Sequence, residues 1–164
     1  MKKYTKNSQK NQETNMLDKL IKHTLKQGIQ LAYDKGSFIF WKDKFPVNQP
    51  SKITLQISNN EEHMLWDLLH ELGHAEVRKD WKDYKANYRA AYLGEREWML
   101  NGVTKYKRRQ AYKIDLIREE VAAWDAGVDL ARKLNIDLDV EAYRAYGSKA
   151  LGTYIKYYGK QLSN

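Results

Sequence analysis

Two histidines four residues apart, His70 and His74, sit inside a stretch with helical apolar spacing, and this segment constrains the chain more than any other. Leu65, Leu68, Leu69 and Leu72 recur every three or four residues and define the buried side of a helix predicted to end near Lys79. Asn59 or Asn60 can cap it, and Glu61 and Glu62 suit its positive first turn. Side chains four apart share one helix face, so both imidazoles can reach a single point.

That pair, with Glu71 following His70, spells His-Glu-x-x-His. Two neutral imidazoles suit zinc, which needs nitrogen ligands and an open position for water. Glu71 is placed to act on such a water as a general base without itself being a ligand. The chain has no cysteine, so any metal site must be built from His, Asp and Glu, and no disulfide framework exists. No apolar run approaches a membrane span, and the N-terminus lacks the apolar stretch of a signal peptide. A cytoplasmic protein with no membrane contact is expected.

The remaining pattern predicts an α+β chain, mostly helical. Residues 1–15 are basic, amide-rich and poor in apolar groups, which reads as a mobile tail ahead of one domain spanning 16–164. A helix is expected from Met16 to about Tyr33, then a strand at Ser37–Trp41, a loop from Asp43 to Ser51 holding both prolines, and a half-buried strand at Ile53–Ile57. A small sheet thus precedes the histidine helix. Residues 80–110 read as one or two helices broken near Gly94 and Gly102. Long helices are expected at about Ile114–Leu134 and Val140–Tyr158, the last interrupted or loosened by Gly147 and Gly152.

Two histidines make a poor catalytic site, so a third ligand is needed. His63 lies two turns before His70 and reads as a surface residue; His23 reads as structural. Asp80 stands six residues after His74, but Val77 replaces the glycine that would turn the chain back. The better candidate lies on the later helix. Ile114, Ile117, Val121, Trp124, Val128 and Ala131 define a stripe taken as the buried face. At about 100° per residue, Glu120 lies about 70° from its centre, at the core boundary, and Glu119 points away toward solvent.

His70-Glu71-x-x-His74 followed by Glu120-Val121-Ala122-Ala123-Trp124 resembles the gluzincins, in which a Glu-x-x-Ala helix supplies the third zinc ligand. The resemblance implies a zincin-like fold, Zn2+ as cofactor, His70, His74 and Glu120 as ligands, and Glu71 as the catalytic base. Trp124 stands where many members carry an aspartate that orients a ligand histidine, which leaves that partner unassigned. The layout of residues 16–134 is also similar to the ImmA/IrrE-like domain, a group often of phage or mobile-element type. That likeness implies a zinc peptidase acting on an intracellular, regulatory protein. The connection 80–110 is long for the group, and the Met-Pro pair that commonly follows the glutamate helix is missing.

The alternative function is a zincin-scaffold binding module that engages a host or regulatory protein, or DNA, with hydrolysis minor or absent. A pure binder has no need of Glu71. The net charge of +8 and the run Lys105-Tyr106-Lys107-Arg108-Arg109-Gln110-Ala111-Tyr112-Lys113 allow weak, non-specific nucleic-acid contact. An oxyanion stabiliser is expected among Tyr88, Tyr92, Tyr143, Tyr146 and Tyr154, and the pattern does not choose one.

Overall fold

The computed structural model describes the backbone of residues 6–42 and 45–162, with side chains for 16–42 and 45–160. Its elements run α1 (Lys6–Lys26), β1 (Gln30–Asp34), β2 (Phe38–Trp41), β3 (Pro50–Gln56), α2 (Glu61–Lys79), α3 (Trp81–Asn87), α4 (Arg89–Asn101), α5 (Gln110–Lys133) and α6 (Val140–Leu162). A short 3-10 turn at Lys105–Arg108 joins α4 to α5. The fold is α+β and mostly helical, with one small sheet ahead of the histidine helix. No described helix is long and apolar enough to cross a membrane.

The sheet has strand order β1-β3-β2, with β1 parallel and β2 antiparallel to β3. Ile53 and Leu55 on β3 are fully buried and meet Leu65, Leu68, Leu69 and Leu72 of α2 in the main core. Leu17 and Leu20 of α1 close one side; Trp124, Val128 and Ala131 of α5 and Tyr143 of α6 close the other. A second, aromatic cluster gathers Tyr84, Ala91 and Tyr112, with Trp81, Tyr88 and Tyr92 against it.

Several expectations are corrected. The first helix stops at Lys26 rather than Tyr33. Gly28 takes φ +75°, a left-handed conformation that glycine adopts without strain, and the chain leaves as β1. Ile29, inside the expected helix, therefore enters the core from the turn. Residues 1–5 of the expected tail lie outside the described residues, whereas 6–15 are drawn as the start of α1. Gly94 does not break α4: it admits the Tyr112 ring, whose Cδ2 would lie 2.5 Å from any Cβ added there. Gly102, at φ +64°, does end that helix. Gly147 and Gly152 leave α6 uninterrupted, Gly147 making room for the Trp124 indole.

Candidate metal centre

The site exists because α2 and α5 cross with almost no side chain between them. A Cβ on Gly73 would sit 2.0 Å from the Ala123 carbonyl oxygen, and one on Gly127 would sit 3.0 Å from that of Leu69. Glycine at both positions lets the backbones touch. The contact sets Glu120, one turn before Ala123, over the two histidines flanking Gly73.

The result is a cluster of three ligand atoms from His70, His74 and Glu120, all within 4.8 Å of one another. Glu120 Oε2 lies 3.3 Å from His70 Nε2 and 3.5 Å from His74 Nε2. A tetrahedral ion with bonds of about 2.0–2.2 Å has ligand–ligand edges of about 3.3–3.5 Å. Both measured spacings fit. Glu120 Oε2 is also buried and faces both imidazole nitrogens, the atoms with which it would share an ion. The three residues could therefore hold a metal ion.

Charge around the cluster points the same way. Burial by itself would suppress a charge on His74. Hydrogen bonds from its two ring nitrogens to Glu119 and Glu120 outweigh that and raise the imidazole to about 10. Burial likewise opposes ionisation of Glu120, and the two imidazoles outweigh it, holding the carboxyl at about 2. Positive charge is strongly favoured at this point.

Glu71 is buried beside the cluster without joining it. Burial raises its carboxyl to about 7, against the pull of His74 and a hydrogen bond from the Ile39 backbone N–H. The cleft above holds about 190 Å³ and is lined by Ile39 and Trp41 of β2, by Leu116 of α5 and by Tyr154 of α6. Tyr154 hydrogen-bonds the Glu120 carboxylate; burial, then Glu120 and Glu71, raises its hydroxyl and keeps it protonated. Of the five tyrosines considered, it is the one that lines this cleft. Tyr143 is sealed in the core, Tyr146 donates to Asp67 at 3.0 Å, and Tyr88 and Tyr92 belong to the aromatic cluster.

The largest correction concerns Glu119. Expected in solvent, it is 2 % exposed. His74 Nδ1 approaches its Oε1 at 3.3 Å, Arg78 Nε and Nη2 donate at 2.6 and 2.9 Å, and the Tyr84 hydroxyl donates at 2.8 Å. Burial would raise the Glu119 carboxyl, but the Arg78 guanidinium and the hydrogen bonds from His74 and Arg78 hold it at about 2. Glu119 thus orients His74, the part that Trp124 cannot play. Trp124 instead stacks flat on the His70 ring, centroids 4.2 Å apart. Arg78 also grips Glu95 at 3.0 and 3.2 Å and lies between the rings of Trp41 and Tyr84.

Arg78 and Glu95 were absent from the sequence reading. A usable signal was the spacing of Arg78, four residues after His74 on the same helix face. Asp80 is exposed and caps α3 through Lys82 N and Asp83 N. His63 is half-buried against Tyr146, and His23 pairs with Gln27, both outside the cluster.

No protein-family model matches the chain, and no curated protein or solved structure matches it significantly.

Proposed function

We propose that this chain is a zinc-dependent peptidase of gluzincin type with an ImmA/IrrE-like layout, hydrolysing a peptide bond in a protein substrate. One observation carries the reading. Glu71 lies in the same cleft as the three converging ligand groups but is not one of them. A site that only holds an ion has no use for a further buried carboxyl at that position. His70, His74 and Glu120 would hold the zinc. Two imidazoles favour zinc over the hard cations that prefer all-oxygen sites.

When bound, the ion supplies Lewis acidity toward a carbonyl oxygen and eases deprotonation of water. Glu71 accepts the proton of the attacking water and returns it to the leaving amine. The Ile39 N–H fixes the orientation of that carboxylate. Tyr154 brings its O–H into the cleft and, turning from Glu120, would donate a hydrogen bond to the oxyanion that develops on the scissile carbonyl. Through its resemblance to the ImmA/IrrE-like group, the substrate class we favour is an intracellular regulatory protein.

The test combines metal analysis with cleavage of a mixed fluorogenic peptide library. Wild-type protein should carry one zinc per chain, and Glu120→Ala should lose it. Glu71→Gln should keep zinc while turnover falls by about 10²-fold or more. Loss of zinc in Glu71→Gln would make it a ligand, and zinc-loaded wild type that cuts no peptide would refute the peptidase reading.

A further inference from the structure

The segment between the two motif helices carries a second cleft, apart from the metal centre. α3 and α4 meet at an elbow on Tyr88, where the backbone leaves helical geometry at φ −126° and ψ 51°. The elbow opens a hollow of about 710 Å³, larger than the metal cleft. Lys82, Lys85, Arg89 and Arg96 line it, and Tyr92 and Leu93 contribute apolar surface. No carboxylate among the described residues lines it.

The four cations are all exposed and follow one another at intervals of three, four and seven residues. Across the elbow they converge on the same hollow. Arg96 alone of the four forms an ion pair among the described residues, with its neighbour Glu97 at 3.2 Å. Four like charges kept together cost repulsion unless an anion joins them.

The basic run at 105–113, which the sequence singles out, is spent differently. Lys105 and Arg109 lie over the Tyr106 ring, and Lys107 lies 3.5 Å from the centre of the Trp98 ring. Three of its cations thus lie over aromatic rings, whereas of the four cleft cations only Lys85 does so among the described residues, 5.3 Å from the centre of the Tyr92 ring.

We infer that the α3–α4 cleft is a phosphate-binding groove that takes the backbone of a single-stranded nucleic acid. A row of separated cations matches a ligand with repeated charge, and two arginine forks match phosphate oxygens. Between Arg89 and Arg96 stands Tyr92, half-buried and braced edge-on by Phe45 with ring centres 5.7 Å apart. A fixed ring between phosphate-binding cations offers a base a stacking surface once Lys85, 5.3 Å over that ring, turns to a phosphate, a surface that an acidic peptide would not use.

The test is fluorescence anisotropy of a labelled oligothymidylate with the full chain over a salt series. Wild type should bind, and affinity should fall steeply with salt. In the variant K82Q/K85Q/R89Q/R96Q, affinity should drop at least about tenfold, and the slope of log K against log salt should shrink by roughly 0.7 per lost contact. The control K105Q/K107Q/R108Q/R109Q should lose less. If the fourfold variant does not fold, K82Q/K85Q and R89Q/R96Q should each lose part of the slope. No binding by wild type, equal losses in cleft and control variants, or displacement by polyglutamate as readily as by unlabelled oligothymidylate would each overturn the proposal. So would duplex DNA binding as tightly as the single strand, or inorganic phosphate at low millimolar concentration displacing the strand.

Discussion

From Ala123 to Ala131, α5 packs through small and apolar residues: Ala123, Trp124, Gly127, Val128 and Ala131 face α2 and α6. From Tyr112 to Glu120, the same helix buries Asp115 and Glu119 and leaves Ile114 and Val121, beside them, 48 % and 45 % exposed. The C-terminal half is held by shape and the N-terminal half by charge. Asp115 accepts from Ala90 N and Ala91 N, capping an α4 that has no side-chain cap of its own. Glu119 ties α5 to α2 through Arg78 and His74. The metal ligand Glu120 stands at the junction. Its position therefore depends on both kinds of packing, one fixing the distance between the helices and the other fixing rotation and the aim of His74.

The largest effect is expected on the charged half. Arg78 neutralises two buried carboxylates, and Arg78→Met keeps much of its volume while leaving Glu95 and Glu119 facing each other. Breaking a buried pair by removing one partner costs about 3–5 kcal/mol. Urea unfolding of the metal-free protein should show that loss, with zinc affinity falling as well. A loss below about 1 kcal/mol, the size of an exposed ion pair, would mean the network is open to water.

The shape-held half is probed by Gly73→Ala. One methyl group there collides with the Ala123 carbonyl, so the helices must move apart. Overpacking of this kind costs about 1–3 kcal/mol. Because Glu120 rides on the displaced helix, zinc affinity should fall further than stability alone explains. Isothermal titration with zinc, beside the urea curve, separates the two. A variant of wild-type affinity would show that the close crossing is not what places Glu120.

The same division explains what the sequence made legible. His70, Glu71, His74 and Glu120 were readable because their spacing is local, or because a short pattern marks the second helix. The helix at 61–79 and the strand around Ile53–Leu55 were readable because their apolar residues do face the core. Glu119 was misread because the stripe through Ile114, Ile117 and Val121 assumes that apolar means inside. On this part of α5 much of the interior is a hydrogen-bonded charge network, and Ile114 and Val121 lie on the outer face. Gly73 was legible in principle: glycine inside an apolar helix is a local loss that calls for a close contact. Arg78 carried only its spacing from His74 as a mark and Glu95 none, since the network joins three separate helices.

The smallest effect is expected where the stripe misleads most. Val121 follows the metal ligand directly, and on the sequence reading it belongs to the core. A buried valine replaced by serine would lose its transfer energy and leave a hydroxyl to satisfy, at a cost of several kcal/mol in combination. At 45 % exposure, Val121 has given up only part of its hydration. Val121→Ser should then change the unfolding free energy by no more than about 0.5 kcal/mol. Zinc content should stay unchanged, because the side chain points away from the imidazoles that hold Glu120. Ile114→Ser, at 48 % exposure, should behave alike. The two sites are seven residues apart, two turns along one face, so the double variant also tests whether this strip is simply solvated. Additive losses within the same small range would place the outer face of α5 in water. A loss of about 2 kcal/mol or more in either single variant would mean that the strip is covered in solution, and the contrast between the two halves of α5 would have to be redrawn.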